Sequence, residues 1–399
     1  MIIGLLGKAN VGKSTFFNAA TDSSVPIANF PFTTINPNIG VAFVRVQCVC
    51  TGLGISDNPV NSQCISGIRY IPIKLIDVAG LVPGAHLGRG LGNKFLDDAR
   101  QADVLIHVID VSGSTDAEGK SVNSGEGNPF LDIQFVEEEF DMWIRSIILR
   151  DWHKVIRESE NLKQKVETVI SNRLSGLSIN EQLIRTSMDQ IGLTKKPGEW
   201  TEDDLLLLSK QIRIESKPII IAANKADIIT SEPNLKKLND LGRPFFPTVC
   251  EAELLLKKAS SKNLIYYLPG DSNFKIKRSE SLSQEQIGAL NMVSNVLSKF
   301  GSTGIQQVLN HACFQILKKI VVYPVEDEYK FTDKNGNVLP DARIVSHNST
   351  AKDLAFLIHH DLGKGFLYAI DVRTKQRIGA DHVLRNNDII KIVATTGRK

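Results

Sequence analysis

The 399-residue sequence has no long apolar run: no stretch approaches the roughly 18 residues that span a bilayer. A charged leader ahead of a short apolar segment is also missing, and the chain opens directly into Ile2–Leu6, which reads as a strand. The expectation is a cytoplasmic protein with no membrane role. Cysteine is scarce, with five in all, and an odd number in so long a chain argues against a secreted disulfide scaffold. Charge of one sign is not in excess either. A net charge of +3 is too small to point to nucleic acid. Otherwise the composition is ordinary, at 42% hydrophobic and 23% charged, so the chain can bury a core, and its length predicts two or three domains.

The most informative stretch is Gly7-Lys8-Ala9-Asn10-Val11-Gly12-Lys13-Ser14. It has the form G-x-x-x-x-G-K-S, follows an apolar strand and runs into a predicted helix, which is the context a phosphate loop requires. Glycines let successive backbone N–H groups curl around phosphate oxygens, and the helix N-terminus adds unsatisfied donors. Lys8, Ala9, Asn10, Val11, Gly12, Lys13, Ser14 and Thr15 are therefore the predicted phosphate cradle. Within it, Lys13 reaches the β/γ-phosphates and the Ser14 hydroxyl ligates Mg²⁺.

Residues 22–37 carry prolines at 26, 31 and 37 and read as a loop. In a P-loop protein such a loop brings a threonine to Mg²⁺ and the γ-phosphate; Thr34 is the candidate, with Thr33 the alternative. A strand over 39–46 and a polar excursion over 50–69 lead to another strand, 71–76, which ends in Asp77-Val78-Ala79-Gly80. Asp77 is placed to support the metal, and Gly80 to bring a backbone N–H to the γ-phosphate. Glycines at 84, 88, 90 and 92 predict a loop free to take unusual backbone angles. Strands over 104–110 and 218–223 follow. The second ends in Asn224-Lys225-Ala226-Asp227, where the Asp227 carboxylate would accept two hydrogen bonds from guanine. Adenine would leave it unsatisfied, a loss of about 1–3 kcal/mol or more. A strand over 245–249 runs into Cys250 and Glu251, whose backbone is placed to meet guanine O6.

Apolar residues at helical spacing predict helices over 129–149, 152–170, 179–191 and 201–214, the last with Thr201 as N-cap. Together they form a helical insertion at about 120–216. Further helices are predicted over 283–299 and 302–319. From residue 320 the pattern changes to short strands and turns around a helix at 350–361, a small α+β domain. Its basic residues exceed its acidic ones by two. Arg373, Lys375 and Arg377, near Tyr368, would suit RNA, although a solvated strand edge accounts for them as well. Cys48, Cys50 and Cys64 offer three thiols. The C-x-C spacing is not the usual C-x₂₋₄-C of a zinc site and no fourth ligand is evident, so they read as thiols around a strand and its loop.

In this order the motifs resemble the Obg family of translation-associated GTPases, in its YchF-like branch. Asn29-Phe30-Pro31-Phe32-Thr33-Thr34 is similar to that family's first switch, with the family's threonine at Thr34. Residues 77–86 and Gly90-Leu91-Gly92-Asn93 are similar to its glycine-rich second switch. The tail resembles a TGS domain. The resemblance implies an α/β fold: a P-loop NTPase G domain over 1–319 with the helical insertion, and a β-grasp, TGS-like domain over 320–399. It implies GTP and GDP as ligands, Mg²⁺ bound through Ser14, Thr34 and Asp77, and a catalytic set of Lys13, Thr34 and Gly80. It also implies a ribosome or RNA partner. YchF proteins that prefer ATP have lost N-K-x-D, which this chain keeps. An ATPase of the same fold, or an RNA-binding scaffold with a structural nucleotide, are the alternatives. Leu81 stands where Ras-like enzymes carry a water-orienting glutamine, which implies slow intrinsic hydrolysis. Asn10 either helps to hold K⁺ or only shapes the loop.

Overall fold

The computed structural model describes residues 1–21, 38–78, 98–161, 164–177 and 179–395. Its contacts divide into two units, one mainly Met1–Ala19 and Lys74–Val308, the other mainly Val41–Ile73 and Leu309–Lys399. In chain order the strands are β1 (Ile2–Leu6), β2 (Ile39–Gln47), β3 (Gln63–Ile65), β4 (Ile68–Asp77), β5 (Val104–Asp110), β6 (Ile219–Asn224), β7 (Phe245–Thr248), β8 (Ile265–Tyr266), β9 (Lys275–Ile276), β10 (Lys319–Val325), β11 (Arg343–Ser346), β12 (Phe366–Asp371), β13 (Gln376–Ile378) and β14 (Asp388–Ala394).

In the first unit the last residues of β4 pair with β1, and the order β4-β1-β5-β6-β7 is parallel throughout. Every residue of β5 is buried, as expected for a parallel strand covered on both faces. Ile3, Leu5, Leu105 and Ile106 are fully enclosed, and each such side chain contributes about 1.5–3 kcal/mol through burial. The register places Leu5 beside Asp77, and Asp110 beside Asn224 beside Thr248. The chemistry-bearing residues therefore share the C-terminal edge of the sheet, where open α/β sheets bind ligands. Helix Lys13–Thr21 leaves the loop after β1 with Phe16 buried beneath it. The Lys257 ammonium donates to the Ala19 carbonyl at 2.6 Å, a cation at the helix's C-terminal end.

The predicted insertion is helical from Pro129 onward. Helix Pro129–Leu149 has Asn128 as N-cap, its side chain accepting from the Phe130 N–H, and Pro129 in the first turn. Thr201 and Asp204 form a capping box at the start of helix Glu202–Ser216. Ile144, Ile148, Ile170, Ile184, Leu208 and Ile212 belong to one core, with Trp152 stacked on Trp200 at 5.5 Å. The expected helix over 152–170 is broken. Trp152–Ile156 is α-helical, Arg157–Asn161 widens to a π-turn, and Val166–Arg173 begins a new helix. Residues 157–165 are polar except for Leu162, so they offer no apolar face to hold a continuous helix. The expected helix over 302–319 is α-helical only at Ile305–Asn310 and then widens through His311–Ile316.

In the second unit β10 and β14 are the parallel centre of a sheet ordered β11-β10-β14-β12-β13, with antiparallel pairs outside them. Helix Ala351–Ile358 packs Leu354 and Ala351 into a core with Val322, Val345 and Ile390. The helix expected over 350–361 breaks at His359, which is extended, and its imidazole Nδ1 accepts from the Asp361 N–H to start a second helix, His360–Lys364. The polar excursion over 50–69 has structure of its own: helix Val49–Leu53, then β3 paired antiparallel with β4. Arg69 on β4 is fully buried. The basic cluster of the tail lies against its own aromatics, with Arg377 over Tyr368 at 4.6 Å and Lys375 over Tyr329 at 4.8 Å.

Candidate functional site

The loop after β1 turns on three left-handed residues. Gly12 has φ +93°, and a Cβ there would stand 2.1 Å from Asn224 Nδ2, so only glycine fits. A Cβ on Gly7 would meet the Val108 carbonyl at 2.7 Å. Asn10 has φ +63°, a conformation asparagine tolerates better than most residues, and its amide donates to the Gly119 carbonyl at 2.8 Å.

Asn224 joins the parts of the site. Its Nδ2 donates to the Val11 carbonyl at 2.9 Å, and its Oδ1 accepts from the Cys250 N–H at 3.2 Å. One neutral, buried side chain thus ties the phosphate loop, the end of β6 and the start of helix Cys250–Ser261 together. The Cys250 amide is used in this bond. That leaves Glu251 and Ala252 as first-turn amides without an intrahelical acceptor. The Cys250 thiol is buried, and burial pushes its pKa well up, so it stays a neutral thiol.

Lys13 Nζ donates to the Asp77 carboxylate and to the Val78 carbonyl at 2.9 Å, in the first turn of its helix beside the β4 terminus. Ser14 is the next residue, with its side chain exposed. A cavity of about 490 Å³ runs from Lys13, Ser14 and Thr15 to Asp227, Cys250 and Glu251, a volume within the usual range for small-molecule sites. Lys8, Ala9, Asn10, Gly12, Asn224 and Lys225 also line it, whereas Val11 is buried beneath the loop with its carbonyl held by Asn224. Asp227 is exposed at its far end. Ser14 and Asp77 offer a hydroxyl and a carboxylate oxygen, hard donors that suit Mg²⁺. Thr33, Thr34, Gly80, Leu81 and His86 lie outside the described residues.

Contacts behind the phosphate loop, made by Lys8, Lys225 and the segment after β5, were not apparent in the sequence. The Lys8 ammonium turns away from the cradle to Asp132 at 2.8 Å and to the carbonyls of Thr115 and Asp116. Burial raises the Asp132 carboxyl above its ordinary value, a trend the Lys8 contact opposes. Lys225 Nζ donates to Asp110 Oδ2 at 2.8 Å and to Ser114 Oγ at 2.9 Å, and Ser112 Oγ donates to Asp110 Oδ1 at 2.6 Å. Burial alone would raise Asp110, but the hydrogen bonds from Lys225, from Ser112 and from Ser114 Oγ, which donates to Asp110 Oδ2 at 2.7 Å, together hold it below the usual carboxylate value. The segment 112–127 thereby buttresses the phosphate loop from the side. Its signal was Asp110 at a strand end followed by Ser112-Gly113-Ser114: a buried acid needs donors close by.

Comparison with known proteins agrees with this geometry. The family model for 50S ribosome-binding GTPases matches residues 2–136, that for the G4 motif-containing domain of YGR210-like, Obg-like GTPases matches 222–327, and that for the TGS domain matches 332–394. An uncharacterized GTP-binding protein of Methanocaldococcus jannaschii is 49% identical over 98% of this chain and 99% of its own length. A ribosome-binding ATPase YchF of Bacillus subtilis is 25% identical over 97% of both chains. The crystal structure of a GTP-binding protein from Pyrococcus horikoshii OT3 superposes with a TM-score of 0.77 at 39% identity, covering 99% of this chain and 100% of the other. A P-loop, an N-K-x-D strand end joined to it by Asn224, and a C-terminal TGS domain place the chain in the YchF-related, Obg-like family of GTP-binding proteins.

Proposed function

We propose that the chain is a GTP-hydrolysing switch of the cytoplasm, with residues 1–319 as its nucleotide domain and 320–399 as a TGS-like domain that engages a ribosome or RNA. The observation that carries the guanine reading is Asn224, which holds the N-K-x-D strand end against the phosphate loop and sets Asp227 at the end of the same cavity as Lys13. Two N–H donors on guanine match the Asp227 carboxylate, whereas adenine leaves it unpaired. Backbone amides of residues 8–14 cradle the phosphates, and Lys13 exchanges its contact with Asp77 for phosphate oxygens. Ser14, Thr34 and Asp77 would hold Mg²⁺, which neutralises charge developing on the phosphates. Gly80 would sense the γ-phosphate. Asn10 would lend its amide oxygen to K⁺ while its nitrogen stays on Gly119. Equal turnover in KCl and NaCl at one ionic strength would end the K⁺ role.

The ribosome reading draws on the family model at 2–136 and on the printed name of the Bacillus subtilis relative. Co-sedimentation with ribosomes, with the protein loaded with GDP or a non-hydrolysable GTP analogue, tests it. Binding with the analogue alone supports the switch. Binding in both states, unchanged by Lys13→Ala, supports the scaffold instead. The same relative's name also includes ATPase activity, so GTP and ATP turnover should be measured side by side. Faster ATP turnover would overturn the guanine assignment.

A further inference from the structure

Cys48, Cys50, Asp57 and Cys64 come from four successive pieces of chain. Cys48 directly follows β2, Cys50 lies in the first turn of helix Val49–Leu53, Asp57 is in the loop beyond, and Cys64 is the central residue of β3. One ligand atom from each lies within 4.8 Å of the other three. The sequence displays only three thiols, because an aspartate in a polar loop gives no sign that it turns inward.

Two of the ligand spacings are close to the edges of a tetrahedral site. Zinc–thiolate bonds of about 2.3 Å put two sulfurs about 3.8 Å apart across a tetrahedral edge, and a zinc–carboxylate bond of about 2.0 Å puts sulfur and oxygen about 3.5 Å apart. Cys50 Sγ and Cys64 Sγ stand 3.7 Å apart, and Cys48 Sγ and Asp57 Oδ2 stand 3.2 Å apart. A disulfide would need about 2.05 Å, so the cysteines are not bonded to one another.

The surroundings match a metal site as well. Arg69 sits opposite Cys64 in the β3–β4 register. Its Nη2 donates to Asp57 Oδ2 at 2.7 Å and to Cys48 Sγ at 3.4 Å, contacts that orient ligands from outside. Ser62 Oγ and the Leu339 carbonyl fix the guanidinium in turn, and the Tyr323 ring lies 5.5 Å away. Bound to a divalent ion the three cysteines would be thiolates, and with the Asp57 carboxylate they would set four negative charges against the one positive charge of Arg69. A divalent ion leaves one net negative charge there instead of three. Three soft sulfurs with one oxygen favour zinc over Mg²⁺ or Ca²⁺.

We propose that Cys48, Cys50, Asp57 and Cys64 bind one structural zinc ion, independent of the nucleotide. The ion closes the 48–64 segment on itself and, through Arg69, braces the Leu339 backbone. The test uses the full-length protein expressed with added zinc and passed through gel filtration. Elemental analysis should find about one zinc per chain, falling below about one-fifth in Cys64→Ser, with Cys313→Ala unchanged as control. In case Cys64→Ser fails to fold, the unmutated protein is stripped and reloaded with Co²⁺. Thiolate-to-cobalt charge transfer and the visible bands of a tetrahedral ion are expected. A metal-free protein that shows no such bands, or a Cys50–Cys64 disulfide in a peptide map of unreduced protein, would overturn the proposal.

Discussion

Asn224 and Arg69 hold their regions together by opposite means. Asn224 is neutral, uses one donor and one acceptor, and bridges three backbone segments at the edge of a parallel sheet. Arg69 is a fully buried cation that bridges a carboxylate, a thiol, a hydroxyl and a carbonyl in the second unit. A neutral bridge can be removed for about the worth of its hydrogen bonds, whereas removing one member of a buried ion pair strands the other. In the nucleotide region Lys13, paired with Asp77, and Asp227 stand where a ligand can compete for them, while Lys8–Asp132 and Lys225–Asp110 pair beside the cavity. The cysteine region spends its charge internally, as a structural centre does.

That contrast can be broken most directly at Arg69. Arg69→Met should lower stability by about 3–5 kcal/mol in denaturant melts, because Asp57 loses its buried partner, while nucleotide affinity stays within about twofold. Lys13→Ala should do the reverse. On the proposed function, GTP hydrolysis should fall by about 10²–10³-fold in a single-turnover assay, with the melting curve little changed. If both variants affect both readouts alike, the two regions are not separate devices.

A pH series sharpens the picture of the first unit. His107 is fully buried on β5, and burial, with the charges of Arg243 and Lys8, pushes its pKa down from 6.5 to about 3. The folded protein then holds His107 neutral while the unfolded chain protonates it. Its contribution is present above about pH 6.5 and lost as pH falls toward 3, with a slope approaching about 1.4 kcal/mol per pH unit. Chemical denaturation at pH 7, 6 and 5 should show the loss, and His107→Leu should flatten it. The smallest effect is expected in the insertion. Thr201→Ala removes the capping box of helix Glu202–Ser216 and should destabilise by about 1 kcal/mol, with hydrolysis unaltered.

The two regions also differ in how far they could be read in advance. The phosphate loop and the strand ends at Asp77 and Asn224 were legible because they are set locally, by a glycine that must be left-handed, a strand that must end and a helix that must begin, whereas the bonds of Asn224 to Val11 and Cys250 were not. Strands β1 and β5 and helix Pro129–Leu149 were legible from apolar period alone. Asp110, Ser112 and Ser114 were not, since their task is to satisfy Lys225, more than a hundred residues away. Asp57 and Arg69 were hidden for the same reason. Arg69 did leave a trace, as a charge inside the apolar run Ile68-Arg69-Tyr70-Ile71, but its partners are assembled only when the chain packs. The turns from α to π at Arg157 and His311 fall inside stretches expected as continuous helices.

The guanine-reading role proposed for Asp227 is tested most directly by calorimetric titration of GDP and ADP into the unmutated protein and Asp227→Ala. GDP is expected to bind at least about tenfold more tightly than ADP, and the substitution to remove this preference by weakening GDP alone. Equal affinities for the two nucleotides, or a GDP preference that survives Asp227→Ala, would contradict it.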